Sequence, residues 1–247
     1  MIYYIYDGTF EGLLTAIYEA YYNSEKPDYI VPIEDYQQDL FSQGVIIQTN
    51  FEKSNRVYQS IEEKISYQSL RNVFYAYLSE LKGVGTLIYR YLQLGWKLGP
   101  SVNSHLSQDL VKQILQVSQK VATERHRMLG LIRFRKMQND VYYASIEPDY
   151  NIVGLVAPHF AKRLADQNWL IHDLKRGFAA VFNQKEWVIT ELPASANLLY
   201  EENEHMYQQL WKQYYASITI ENRKNSKLQR QFMPQRYWKH LIERESI

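Results

Sequence analysis

The sequence contains no cysteine among its 247 residues. Disulfide bonds, thiol nucleophiles and zinc or iron–sulfur sites with cysteine ligands are therefore excluded within this chain. No apolar run approaches the ~20 residues that a membrane-spanning helix needs. The opening MIYYIYD also lacks the basic region of a signal peptide, so we expect a cytoplasmic protein that does not enter a membrane.

Familiar catalytic motifs and metal-binding spacings are missing as well. The chain has no Walker-type phosphate loop, no glycine-rich dinucleotide fingerprint and no nucleophile elbow. Its six histidines show no paired spacing typical of a metal site. We therefore predict no metal and no cofactor in this chain, and the residues leave open whether it is an enzyme.

Aromatic residues and locally concentrated charge are abundant instead. The 22 tyrosines suit interfaces and base stacking, although codon bias in a genome poor in G and C is the simpler explanation. Residues 1–66 carry eleven acidic and four basic side chains, whereas 120–136 and 223–240 carry six basic side chains each. These two basic stretches indicate local contact with a polyanion.

Hydrophobic periodicity predicts an α+β fold in which several helices pack around a small, mostly antiparallel sheet. The predicted helices are 9–22, 51–65, 69–81, 85–98, 106–127, 151–166 and 202–217. The predicted strands are 2–6, 45–49, 129–135, 141–146, 169–172, 178–182 and 187–190. We expect a single domain over 1–247, helix-rich over 1–128, sheet-containing over 129–200 and ending in a helical basic tail over 201–247.

Two short segments have both a functional and a structural interpretation. The segment Lys82-Gly83-Val84-Gly85 between two predicted helices suits a helix-hairpin-helix DNA-binding loop, and it also suits an ordinary helix end and restart. The run Glu124-Arg125-His126-Arg127, followed by Arg133, suits a phosphate clamp or a solvated helix end. The sequence does not decide between the functional and the structural interpretation of either segment.

A third group of residues suggests a site. His159 and Arg163 are four residues apart and share a helix face, and Asp173 and Arg176 follow shortly after them. Asp173 is suited to orient a histidine for general-base catalysis, or to pair with Arg176 and fix a turn. We predict that these four residues meet in one partly open, positively charged concavity with Arg133 at its edge.

Several segments together resemble a known family. They are Tyr6-Asp7-Gly8-Thr9-Phe10-Glu11-Gly12, Leu94-Gly95-Trp96, His126-Arg127-Met128, Pro158-His159-Phe160 and Glu221-Asn222-Arg223-Lys224-Asn225. In this order, and nearly end to end, the chain resembles a bacterial family labelled as DNA metabolism or DNA repair proteins, whose detailed function is unknown. Members are typically encoded beside a radical-SAM protein, and some are fused to a uracil-DNA-glycosylase-like domain.

The resemblance implies an accessory protein of DNA repair or DNA modification that binds DNA and works with a radical-SAM iron–sulfur partner. An enzyme acting itself on a nucleotide or DNA end, and an interaction protein without nucleic-acid contact, are the alternatives. The candidate catalytic residues are His126, His159 and Asp173. The candidate nucleic-acid-binding residues are Arg133, Arg163, Arg176, Arg223, Lys224 and Lys227.

Overall fold

The computed structural model describes residues 1–38, 40–138, 140–193, 201, 203–218 and 230–244. The chain forms two compact units, Met1–Ala122 and Thr123–Ile247, each with its own sheet. Helices and small sheets coexist as the sequence predicts, so the α+β fold class is confirmed. The organisation as a single domain stays a prediction.

The first unit contains a three-stranded sheet in which the first strand is central. Strands β1 (Ile2–Tyr6), β2 (Tyr29–Pro32) and β3 (Gln43–Ile46) lie in the order β2-β1-β3, and both pairs are parallel. Helix α1 (Phe10–Tyr22) supplies the crossover that parallel neighbours require. The antiparallel sheet expected from the sequence therefore does not extend to this unit.

Three helices follow the sheet within the first unit, and a fourth begins there. They are α2 (Phe51–Lys64), α3 (Tyr67–Tyr77), α4 (Val84–Leu98) and α5 (Asp109–Leu131). Capping side chains mark where the first three helices of the chain begin, because Thr9, Asn50 and Ser66 each accept a backbone N–H of the following turn. The boundary between the two units falls within α5.

Two glycines at the start of α4 serve the packing of that helix. Gly83 has a φ of +78° and stands at the position where α4 begins. A Cβ on Gly85 would lie 2.6 Å from the carbonyl oxygen of Ile30, so only glycine lets α4 approach β2 this closely. These contacts fit the ordinary helix restart rather than a DNA-binding hairpin.

The second unit contains a five-stranded mixed sheet. Its strands are β4 (Arg135–Lys136), β5 (Val141–Ile146), β6 (Asn168–Asp173), β7 (Phe178–Asn183) and β8 (Trp187–Glu191), in chain order across the sheet. All neighbours are antiparallel except β5 and β6, which are joined by α6 (Val153–Arg163) and run parallel. This sheet is mostly antiparallel, as predicted.

The strand predicted over 129–135 is wrong for most of its length. Helix α5 continues to Leu131, and β4 has only two residues. Met128 and Leu131 are three residues apart and both are buried, so they extend the apolar face of α5 beyond the predicted helix end. A short apolar run fits a strand or a helix equally, and therefore the sequence alone does not reveal that α5 continues through it.

Aromatic side chains fill the core of the second unit. Trp169 on β6 is fully buried and stacks on Phe182 of β7, with ring centroids 5.2 Å apart. Phe160 of α6 packs edge-on against Phe134 at 5.2 Å. Helix α7 (Glu204–Ile218) and the 3₁₀ turns Gln235–His240 and Ile242–Arg244 complete the described part of this unit. In the described parts of the chain, every helix is too short or too polar to cross a membrane.

Candidate functional site

A cleft of about 570 Å³ opens in the second unit. It is lined by Ile132, Arg133, Phe134, Lys136, Tyr142, Arg163, Glu204, Tyr207, Gln208, Trp211 and Ile242. We call it the Arg163 cleft. Its size is that of typical small-ligand sites, and its lining combines aromatic rings with three cationic side chains.

Helix α7 presents two aromatic rings to this cleft. Tyr207 and Trp211 are four residues apart and therefore share a helix face. They are 57% and 38% exposed, although aromatic side chains of this size are usually more deeply buried. Phe134 and Tyr142 line the same cleft. Exposed rings of this kind offer flat surfaces on which a nucleobase can stack.

Arg133 lies in the cleft with its charge neutralised. Its Nη2 donates to Glu243 Oε1 at 2.7 Å and its Nε donates to Glu243 Oε2 at 3.2 Å, a two-point ion pair. The guanidinium also lies 5.7 Å from the ring centroid of Trp211, whose Nε1 donates to the same carboxylate at 3.1 Å. Arg133 is therefore positioned to hold Trp211 in place.

The carboxylate of Glu243 is almost fully enclosed, since only 1% of its side chain is exposed. Burial raises the pKa of this carboxyl, but the hydrogen bonds from Arg133 and Trp211 outweigh burial and leave the pKa below its ordinary value. Glu243 is therefore charged at neutral pH. Its charge fixes Arg133 rather than repelling an anion in the cleft.

Lys136 ties the edge strand β4 to residues that precede α7. Its Nζ lies 2.8 Å from Asp140 and 3.1 Å from Glu201, and these hydrogen bonds raise the pKa of the lysine. Its backbone N–H donates to the buried carboxylate of Glu204 at 2.8 Å. The contacts with Glu201 and Glu204 join residues more than sixty positions apart, and they build one wall of the cleft.

Arg163 is the cation of the cleft that has no counter-ion within the described ranges. It ends α6 and is exposed, whereas Arg133 and Lys136 are held by carboxylates. An arginine without a carboxylate partner keeps all its donors for a ligand, and a phosphate oxygen is a favoured acceptor for them. The cleft therefore combines stacking surfaces with one available guanidinium.

Asp173 and Arg176 form a separate, buried ion pair. Arg176 Nη1 lies 2.8 Å from Asp173 Oδ2, and the two side chains are 9% and 0% exposed. Arg176 also donates to the carbonyl oxygens of Pro148 and Asp149. Burial raises the pKa of Asp173 although the hydrogen bonds from Arg176 oppose the rise. Of the two interpretations of Asp173, these contacts fit the turn-fixing one.

A buried glutamate also holds the loop at 148–150, whose carbonyl oxygens Arg176 contacts. Glu124 on α5 is 3% exposed, and its carboxylate accepts the backbone N–H groups of Asp149 and Tyr150 at 2.8 Å each. The hydroxyl of Tyr237 also donates to it, and Arg236 donates to that hydroxyl at 2.9 Å. Burial, reinforced by Glu124, raises the pKa of Tyr237. This network is suited to bracing the loop.

The residues predicted to share one concavity thus lie in two separate places. Arg133 and Arg163 line the cleft, but Asp173 and Arg176 do not. Tyr142 of the cleft pairs with Trp169 at one end of β6, whereas Asp173 is four residues further along. At about 3.3 Å per residue the separation is roughly 13 Å. His159 does not line this cleft either.

The two candidate catalytic histidines have different surroundings. His126 is exposed on α5. His159 is half-buried on α6, its Nε2 is enclosed without a hydrogen-bond partner among the described residues, and its ring packs edge-on against Phe160. Their catalytic roles stay predictions. Arg223, Lys224 and Lys227 lie outside the described residues.

Among the residues not anticipated from the sequence are Tyr207, Trp211 and Glu204, which line the cleft, and Glu243, which holds Arg133. Tyr207 and Trp211 had a detectable signal, because exposed aromatics at a four-residue spacing lie on one face of a predicted helix. Glu204 and Glu243 had none, since a single glutamate is ordinary in any helical segment. Their roles depend on partners that are distant in the chain.

One family model matches most of the chain. A domain of unknown function, DUF4130, covers residues 82–243. The chain belongs to the DUF4130 family. The matched region contains every residue that lines the Arg163 cleft, together with Glu243, whereas β1, α1 and α2 precede it. No functionally curated protein matches the chain.

Proposed function

We propose that this DUF4130 protein binds DNA through the Arg163 cleft, as an accessory protein of DNA repair or modification. The supporting observation is the combination of exposed Tyr207 and Trp211 with Arg163, whose guanidinium has no ion pair with any residue that the structure describes. Bases stack on the rings, and a backbone phosphate accepts hydrogen bonds from Arg163. Stacking needs unpaired bases, so single strands bind more tightly than duplexes.

Fluorescence anisotropy with labelled single-stranded and double-stranded oligonucleotides over a salt series tests this binding. Arg163→Ala should weaken binding and flatten the dependence of affinity on salt by about one unit of slope, because one phosphate contact is lost. Lys162→Ala is the matched control, since it removes the neighbouring charge on α6 without changing the cleft lining. Equal slopes for wild type and Arg163→Ala would place binding elsewhere.

The stacking part of the proposal has its own test. Tyr207→Ala should weaken single-strand binding by about 1–3 kcal/mol, and Tyr207→Phe should retain most of the affinity because the ring is kept. Since Tyr207 is more than half exposed, neither change removes a core side chain. Loss of affinity in both variants to the same degree would assign the effect to the hydroxyl and contradict stacking.

The basic tail extends the same proposal. Replacing Arg223, Lys224 and Lys227 by alanine should flatten the salt dependence by roughly one unit for each phosphate contact that is lost. Combining the triple variant with Arg163→Ala then tests whether the changes in salt dependence are additive. A triple variant with the wild-type slope would restrict DNA binding to the cleft.

A radical-SAM iron–sulfur protein is the partner that we propose. The absence of cysteine supports this division of labour, because iron–sulfur clusters are held mainly by cysteine thiolates and this chain has none. Co-expression of the chain with a radical-SAM protein from the same genome, followed by co-purification, tests the association. Iron and sulfide analysis of the isolated chain should detect neither element, and stoichiometric amounts of both would contradict the proposal.

A further inference from the structure

A second cavity, of about 210 Å³, lies within the first unit. Helices α1, α2 and α4 contribute its walls. We call it the Trp96 cavity, and the residues that matter for its chemistry are Tyr18, Tyr21, Tyr22, Arg56, Lys64 and Trp96. All of them except Trp96 precede the region that the DUF4130 model matches. The cavity is thus largely a feature of the preceding segment.

Four aromatic rings surround this cavity. Tyr18 and Tyr22 lie with their ring centroids 4.5 Å apart, and Tyr21 meets Trp96 edge-on at 5.6 Å. Tyr21 and Tyr22 are 55% and 67% exposed, so their rings are accessible from solvent. Rings arranged in this way around an open space suit a flat aromatic ligand.

The charge of the lining is positive, although the surrounding segment is acidic. Residues 1–66 contain eleven acidic and four basic side chains, and two of those four, Arg56 and Lys64, line the cavity. No carboxylate is among the described lining residues. Arg56 makes one long contact, 3.5 Å to the hydroxyl of Tyr18, whereas Lys53 nearby is paired with Glu19. Two cations without carboxylate partners in the described residues suit an anionic group.

Trp96 contributes a partly exposed ring to the lining of the cavity. Its indole Nε1 is enclosed and has no hydrogen-bond acceptor within the described ranges. A buried donor without an acceptor is unfavourable and uncommon in folded proteins. Because this nitrogen is out of contact with solvent, the ring surface of Trp96, and not its N–H group, is what the cavity offers to a ligand.

We propose that the Trp96 cavity binds one phosphorylated nucleotide. The base packs against the tyrosine and tryptophan rings, and the phosphate lies between Arg56 and Lys64. The volume is below the ~300–1,000 Å³ of sites that enclose a drug-sized ligand, so at most one nucleotide unit binds and part of it remains exposed to solvent. A free nucleotide and the phosphorylated end of a DNA strand share this chemistry. The proposal does not depend on the Arg163 cleft.

Isothermal titration of the full chain with nucleoside 5′-monophosphates, the matching nucleosides and inorganic phosphate tests the site. The monophosphates should bind more tightly than either part alone, because stacking and charge act together. Equal affinity for inorganic phosphate and monophosphates would overturn the proposal, as would no binding by any of the four monophosphates. Short oligonucleotides with and without a 5′-phosphate then distinguish a strand end from a free nucleotide.

Variants assign the binding to the cavity. Lys64→Ala should weaken monophosphate binding about tenfold and leave nucleoside binding unchanged, since a charged hydrogen bond to the phosphate is lost. Lys82→Ala removes an exposed lysine of the same unit outside the cavity and should have no effect. Trp96→Phe removes part of the ring surface that lines the cavity and should weaken the binding of both the monophosphate and the nucleoside.

The variant results separate this proposal from the one for the Arg163 cleft. Arg163→Ala should leave monophosphate binding unchanged, and a loss in that variant would mean that the nucleotide occupies the cleft instead. Unchanged binding in both Lys64→Ala and Trp96→Phe would overturn the assignment to the Trp96 cavity. Circular dichroism of each variant confirms that helical content is retained.

Discussion

Two arginines of the second unit, Arg163 and Arg176, have opposite surroundings. Arg176 is 9% exposed, pairs with a fully buried aspartate and donates to two backbone carbonyls. Arg163 is exposed at the end of α6, beside aromatic rings, and has no ion pair among the residues that the structure describes. The first arginine has its donors committed to the fold, and the second keeps them for a ligand.

This difference separates stability from binding within one unit. Asp173, Arg176 and Glu124 hold the loop at Asp149, and their polar atoms are enclosed by protein. The cleft lies at the other end of β6, where two of its three cations are neutralised and its rings remain exposed. Changes in the first region should therefore alter folding, and changes in the second should alter ligand affinity.

The largest effect is expected for the buried pair. Asp173→Ala leaves the guanidinium of Arg176 without its counter-ion and should lower the free energy of unfolding by about 3–5 kcal/mol. Asp173→Asn, which keeps the shape, should cost about 1–3 kcal/mol through loss of a charged hydrogen bond. Urea denaturation followed by circular dichroism measures both values.

The DNA affinity of the Asp173→Asn variant tests whether the buried pair affects stability alone. At a temperature where Asp173→Asn is still folded, its affinity for single strands should equal that of wild type. A folded Asp173→Asn variant with weakened DNA binding would break the separation between the two arginines and return Asp173 to the candidate site.

An intermediate effect is expected at Glu243. Glu243→Gln removes the counter-ion of Arg133 and should lower the free energy of unfolding by about 1.5–3 kcal/mol. The guanidinium keeps the Nη1 bonds to the carbonyl oxygens of Gly130 and Ile132, but its charge becomes available to a phosphate, so the salt dependence of DNA binding should steepen by about one unit. Glu186→Gln is the control, because Glu186 is exposed, lies between β7 and β8, and does not line the cleft. Weaker DNA binding with an unchanged slope would show that Arg133 acts by holding Trp211.

Much of the fold could be predicted from periodicity, because most helices and strands are long enough to repeat their pattern. Helices α2 and α4 begin and end within a residue of their predicted limits. The parallel arrangement around β1 was not predicted, because β2 has four residues and gives no detectable alternation. The end of α5 was missed since Leu-Gly-Leu suits a strand or a helix equally.

The site was only partly predictable, for a geometric reason. A four-residue spacing placed His159 and Arg163 on one helix face, and Arg163 does line a cleft. The predicted strand over 169–172 already separated Asp173 from the end of α6 by more than 10 Å, at about 3.3 Å per residue. The wall formed by Lys136, Glu201 and Glu204 depends on contacts between distant segments, which periodicity does not encode.

The smallest effect is expected for the pH dependence of the Glu243–Arg133 pair. The pKa of Glu243 is lowered in the folded protein, since the hydrogen bonds from Arg133 and Trp211 outweigh burial. The unfolded chain therefore takes up the proton at a higher pH than the folded protein. The stabilising contribution is complete above the ordinary glutamate pKa and is lost as pH falls through the lowered value.

Comparing wild type with Glu243→Gln by denaturation at several pH values measures this contribution. The difference in unfolding free energy should be constant near neutral pH and should shrink below about pH 4, because wild type then protonates the carboxyl that the variant lacks. Glu186→Gln should show no such trend, since that side chain is exposed and has no cationic partner among the described residues. A difference that persists unchanged into acid would mean that replacing an acceptor oxygen of Glu243 by an amide group, and not removing its charge, destabilises the contacts with Arg133 and Trp211.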